Sequence, residues 1–265
     1  MHGQDRQTGN PRSAFGPRWR GLLRPMLVLA FWLGVWALLS WRVGLTLLLP
    51  GPLEVLRALA ALARTGLFWR KVGLSLLRVF GGFAFGTLAG MLLAVLTSAV
   101  PLARALLAPA IRVVRATPVA SFILLAVLWL NSGVLPGFIA GLMALPVVWN
   151  SMTEGIAATD RQLLELAKSY RFGPGKTLRL IYVPSLSPYL RAAMATSLGL
   201  AWKSGVAAEV LCSPRLAIGR SLADAKTYLQ TPDLFAWTVT VILLSLVMEW
   251  LLARVLRHLP GGEDE

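Results

Sequence analysis

From Val72 to Val100 the chain carries one charged side chain, Arg78. An apolar stretch of that length exceeds the roughly 20 residues a helix needs to cross a bilayer, which limits the fold to one built in lipid. Within it Gly82, Gly86 and Gly90 recur at four-residue spacing. Glycines on one helical face let a second backbone approach where lipid supplies no hydrophobic drive for association. Packing inside the chain's own bundle is expected in preference to a seam between copies. Arg78, in the first turns, either snorkels to the interface or faces the bundle.

Composition agrees with this constraint. Only 14% of the 265 residues are charged, against about 25% in soluble domains, while 56% are hydrophobic and the mean hydropathy is +0.66. The expected class is an all-α polytopic membrane protein. A net charge of +14 could suggest nucleic acid, but that requires a basic face on a soluble fold. Here Lys and Arg sit between apolar runs, where they set topology and attract anionic lipid head groups. No nucleic-acid partner is expected. The lone Cys212 excludes an internal disulfide, and no cluster of Cys, His or carboxylates suggests a metal site, a redox centre or an acid/base catalyst.

Residues 1–21 are polar, basic and rich in Gly and Pro, and read as a disordered cytoplasmic tail. The apolar run Met26 to Trp41 follows without a clean small-residue cleavage site, and reads as a retained membrane helix, not a signal peptide. Gly51 and Pro52 open a short amphipathic helix that lies along the membrane surface, with Glu54, Arg57 and Arg64 on its polar side. Pro109 and Pro118 interrupt the next region. The apolar part after Pro118 is too short to cross alone, so one helix starting before Pro118 and kinked there is expected.

Val134 to Trp149 forms a short crossing, and Leu186 to Leu211 is a helix too polar for lipid, with Arg191, Lys203 and Glu209. Such a helix belongs inside a bundle, facing a polar path. Ser213 to Thr231 reads as a polar loop, Leu234 to Leu252 as the last span, and 259–265 as an acidic tail. These add up to about six transmembrane helices within a domain at 22–258. With both termini on one side, sixteen of the 26 Lys and Arg fall on that side, which makes it the cytoplasmic one.

The polar connection ELAKSYRFGPGKTLRLIYVP, Glu165 to Pro184, lies on the same side. Its Gly-Lys-Thr mimics the end of a phosphate loop, but Tyr170 stands where that motif needs glycine, and a helical segment precedes it instead of a strand. Leu163, Leu164, Ala167 and Tyr170 share one face of that helix, while Glu165 and Lys168 project elsewhere at a supportive spacing. A short helix ending in a tight turn can seat in a groove of a soluble partner.

Glu165, Ala167, Ile181 and Pro184 resemble, at the family's spacing, the cytoplasmic coupling loop of binding-protein-dependent ABC importer permeases: Glu-Ala-Ala, three residues, Gly, nine residues, Ile, one residue, Leu-Pro. Leu166, Arg171 and Val183 depart from that pattern. Arg171 replaces the glycine, and Gly173 is expected to supply the turn with positive φ in its place. The resemblance covers about residues 50 to 257. SLLRVFGGFAFGTLAG (Ser75 to Gly90), RVVRATP (Arg112 to Pro118), AWKSGVAAEVL (Ala201 to Leu211) and the last helix are similar to the nitrate, sulfonate and taurine type.

The resemblance implies a type I ABC importer permease fold in the bacterial inner membrane, and a homodimer. It implies two cytoplasmic ABC ATPase subunits, which bind the ATP-Mg, and an extracytoplasmic substrate-binding protein. The chain itself would hold no cofactor and would not be an enzyme. Coupling would fall to Glu165, Ala167, Lys168, Tyr170, Arg171 and Gly173, in a loop at about 155–184. Candidates for the translocation path are Lys203, drawing an anion, with Ser204 and Glu209, the last structural or gating. Lys203 and Glu209 do not share a face, so no direct pair is expected. The same branch also serves vitamin-related heterocycles, thiamine precursors or riboflavin-like compounds. A self-sufficient secondary transporter would show inverted repeats and ion-coupling carboxylates, and neither is evident.

Overall fold

The computed structural model describes residues 18–257, with side chains from Met26. The expected acidic tail and residues 1–17 of the basic tail lie outside the described residues. The last four residues of that tail, from Arg18, are drawn into the first helix, α1 (Arg18–Val43).

Every described element is helical: α2 (Pro52–Ala63), α3 (Gly66–Ala99), α4 (Pro101–Ala116), α5 (Val119–Ala126), α6 (Leu135–Ala158), α7 (Arg161–Ser169), α8 (Pro174–Thr177), a π-helical stretch Leu178–Tyr182, α9 (Val183–Cys212), α10 (Ile218–Thr227) and α11 (Thr231–Leu256). Among the described residues four helices are long and apolar enough to cross a membrane: α1, α3, α6 and α11. The bent pair α4 and α5 makes a fifth when taken as one span. The sixth long helix, α9, has 30 residues, about 45 Å at 1.5 Å per residue. Its length suffices, but it is too polar to meet the same test.

The α3–α6 crossing shows what the glycine stripe is for. A Cβ on Gly82 would collide with the backbone of Gly137, and one on Gly86 would lie 2.7 Å from the Gly141 Cα. Small residues on both helices therefore set this spacing. Gly137 and Gly141 lie on a helix the sequence reading makes too short: α6 runs on to Ala158. α9 packs against both helices, burying Leu198, Ala201, Trp202 and Val206 among Val72, Val79 and Phe83 of α3. Trp202 donates its indole N–H to Val241 O of α11 at 3.2 Å, which satisfies a buried donor. α1 stays at the edge and is held by Trp36, which donates to Pro50 O and stacks on Phe235.

Two expectations need correction. The region around Pro118 is not one kinked helix: α4 and α5 meet at 103°. The proline ring disfavours helical angles at the preceding residue, and Thr117 is extended at φ −81°, ψ 133°. The supposed polar loop after Ser213 contains α10. The N-terminal amides of α10 are capped by residues distant in sequence, since Ile218 N–H donates to Ser75 Oγ (3.0 Å) and Gly219 N–H to Glu209 Oε2 (3.0 Å). A carboxylate there also complements the positive end of the helix dipole.

Candidate functional site

The connection between α6 and α9 begins with Asp160, whose carboxylate accepts the Gln162 N–H at 2.8 Å and caps α7. The cap at the other end is equally defined. Phe172 N–H donates to Ala167 O (2.8 Å) and Arg171 N–H to Lys168 O (3.0 Å). This is the paired Schellman closure, with the left-handed residue one place past the C-cap. That residue is Arg171 itself, at φ 52°. Gly173, expected to supply positive φ, has φ −68° and serves as the N-cap of α8. The turn stays at the motif's position and an arginine bears its strain. Lys176 then sits over the Phe172 ring, 4.1 Å from its centre.

The faces of α7 also divide differently from the sequence reading. Ala167 is buried and Leu164 half-buried, whereas Leu163, Leu166 and Tyr170 are exposed, Tyr170 at 71%. Spacings of three and four place these last three on one ridge. Glu165 and Lys168 flank it and are also exposed. An apolar ridge with charged flanks on a helix outside the bundle is what a partner groove receives. Ile181, in the π-helical stretch immediately before α9, is buried and anchors the return of the connection.

Lys203, Ser204 and Glu209 do not converge. Lys203 is exposed. Ser204 is buried and donates to Leu200 O of its own helix at 2.8 Å. Glu209 is fully buried and is the centre of a polar knot. Its Oε2 accepts from Ser75 Oγ (2.8 Å) and from Gly219 N–H, and its Oε1 lies 3.5 Å from Arg78 Nη1, an ion-pair contact. Arg78 also donates to Leu216 O and Arg215 O. Arg78 therefore faces the bundle, and the knot ties α3, α9 and α10 together. Lys71, one helical layer away, donates to Ser221 Oγ of α10 at 2.8 Å. The sequence shows each of these charges but not their pairing, because residues 78 and 209 meet only once the glycine crossing has set the bundle. Among the described residues no group of His, Cys, Asp and Glu could hold a metal ion.

The profile of the family described as "binding-protein-dependent transport system inner membrane component" matches residues 86–259. The chain belongs to this family. The permease is 28% identical over 251 residues to an ABC transporter permease protein of Brucella abortus strain 2308, covering 93% of this chain and 98% of the relative. It is 26% identical over 218 residues to an aliphatic sulfonates transport permease protein of Bacillus subtilis, covering 82% and 78%. It is 27% identical over 260 residues to a riboflavin transport system permease protein of Chloroflexus aurantiacus, covering 94% and 96%. These relatives are membrane components of transporters, and the permease is likewise a multi-pass transport subunit and not an enzyme. The family match begins at Gly86, so α2 and the part of α3 from Gly66 to Phe85 lie before it.

Proposed function

We propose that this permease is the membrane subunit of an ATP-driven importer that accepts a small anion, of the sulfonate, taurine or nitrate type, from an extracytoplasmic binding protein. Two copies would pair, each receiving one ABC ATPase subunit at α7, with both termini cytoplasmic. The observation that carries this reading is the α7 ridge. Leu163, Leu166 and Tyr170 stand exposed on a helix fixed at both ends by caps, and the loop around it keeps the spacing from Glu165 to Ile181 and Pro184. Large apolar side chains held rigidly in water are costly unless a partner covers them. Closure of an ATPase pair on ATP would displace α7, and packed helices would carry that displacement as a rigid-body change.

The sulfonate relative supports an anion. The riboflavin relative, aligned over nearly the whole chain, supports a vitamin-related heterocycle as the second reading. Both use the same architecture, because a binding protein selects the substrate. The test is reconstitution of the permease with its ATPase and binding protein in liposomes. Stimulation of ATP hydrolysis by binding protein loaded with an alkylsulfonate, taurine or nitrate is expected. Stimulation only by a riboflavin-like or thiamine-like compound would replace the anion reading with the second. Uptake by the permease alone on an ion gradient would refute the importer.

A further inference from the structure

The α4–α5 break opens a 420 Å³ cavity against α6 and α9, lined by Arg115, Thr117, Pro146, Asn150, Ser151 and Thr196 among others. Its depth follows from helix lengths. Thr196 is 13 residues from the start of α9, about 20 Å along a helix of about 45 Å, and Asn150 lies about 12 Å from the end of α6. At this depth Arg115 and Thr196 are exposed and Asn150 and Ser151 half-buried, and an ionisable side chain part-way across a membrane is expensive unless it lines a pathway. The proline that breaks the helix also exposes backbone at this depth, which is tolerated where it borders a cavity.

Asn150 lines a second cavity as well, of 350 Å³, with Ser98, Arg104, Thr153 and Glu154 at the ends of α3, α4 and α6. Its carboxamide donates to Glu154 Oε1 at 2.6 Å, so Asn150 stands as the wall between the two spaces. Arg104 and Arg115 are about three turns apart on α4 and share a face. Between them on that face lie Ala108 and Ile111, both buried. The helix thus presents one arginine to each cavity.

We propose that the cavity at the break, walled by Arg115, Asn150, Ser151 and Thr196, holds a small oxyanion part-way across the membrane, and that the Arg104 cavity beyond Asn150 is its next station. This rests on the anion-importer reading and relocates the substrate contact from Lys203 to the α4–α5 break. Arg115 supplies the charge, and the Ser151 hydroxyl and the Asn150 carboxamide supply donors, while the Thr196 hydroxyl lines the wall and donates to Ala192 O of its own helix at 3.0 Å. The break supplies the space that a continuous helix would fill. A volume of 420 Å³ falls within the range of about 300–1,000 Å³ usual for small-molecule sites.

The permease has one native thiol, which makes the proposal testable in the full-length chain in membrane vesicles. Cys212→Ser removes that thiol, and Ser151→Cys places a new one in the cavity. Two methanethiosulfonate reagents of matched length then compete, the anionic sulfonatoethyl and the cationic trimethylammonioethyl compound, with rates normalised to free cysteine. A preference of about tenfold for the anion at position 151 is expected, from the nearby guanidinium in a space of reduced dielectric, and Arg115→Gln should abolish it. Millimolar ethanesulfonate or nitrate should slow labelling when Arg115 is present and not when it is replaced. Thr196→Cys gives the same readings should Ser151→Cys fail to insert. No labelling by either reagent, equal rates with Arg115 in place, or no protection by either anion would overturn the proposal. The importer reading fails separately: it falls if the reconstituted complex shows no binding-protein-stimulated ATP hydrolysis, whatever the labelling shows.

Discussion

Replacing Gly86 by alanine tests the α3–α6 crossing directly. The added Cβ would lie 2.7 Å from Gly141 Cα and 2.8 Å from its carbonyl carbon, whereas carbon atoms rest at about 3.5–4.0 Å. Both obstacles are backbone, so no side chain can turn aside, and the helices must part by about 1 Å. Overpacking of this kind costs about 1–3 kcal/mol, and for a domain of this size that lowers the melting temperature by about 2–4 °C per kcal/mol. Gly81 is the internal control. It lies in the same helix, nothing stands within 4 Å of its Cβ position, and alanine there gains helix propensity of up to about 1 kcal/mol. Thermal unfolding of the detergent-solubilised permease, followed by its tryptophan fluorescence, should show Gly86→Ala melting several degrees below the parent and Gly81→Ala at or above it. Equal melting of the two variants would mean that the stripe does not set the crossing.

Arg171→Gly should relieve the left-handed strain at the end of α7, worth about 1 kcal/mol, and slow amide exchange in α7 about fivefold; Gly173→Ala should leave that exchange unchanged, and the reverse pattern would return the turn to Gly173. Leu166→Asp, on the exposed ridge, should abolish binding-protein-stimulated ATP hydrolysis in the reconstituted complex without altering the permease's melting temperature. Ala167→Leu, at the buried face, should lower both, so equal effects of the two would remove the distinction between the faces. Glu209→Leu strands Arg78, Ser75 and the Gly219 amide together and should destabilise by about 3–5 kcal/mol, more than Arg78→Met, which leaves two of the three contacts to Glu209; a milder Glu209→Leu would refute the knot.

Much of this fold is legible in sequence because lipid demands it. Long uncharged runs can only become helices there, so α1, α3 and α11 are plain before any packing is known. The connection between α6 and α9 is legible for the opposite reason, as a polar segment where its neighbours are apolar. What sequence hides are features settled by distant partners. α10 lacks a local side-chain cap and shows itself only when Ser75 and Glu209 reach its amides. Arg171 in a left-handed turn violates the preference that makes Gly173 the natural expectation, and only the bonds of Phe172 and Arg171 back into α7 reveal it. The break at Pro118 is foreseeable as a bend, but its 103° angle goes with different packing of the two pieces, α4 against α3 and α6 and α5 against α6 and α9. Lys203 draws notice as an intramembrane charge, while Arg115 reads as one of several arginines until the cavity beside it is seen.

The wide turn from Leu178 to Tyr182 has a mechanical consequence. α8, this stretch and α9 follow one another without a break from Pro174 to Cys212, so a single rod, about 57 Å long by helical rise, joins the connection after α7 to the knot around Glu209. The rod is helical throughout, and the π-helical stretch and Pro188 inside α9 are the places where it can bend. A π-helical turn also holds an extra residue, which shifts the register of every side chain beyond it. The near end of the rod is therefore turned relative to the far one, so the faces that α8 and α9 present are not those of one regular α-helix.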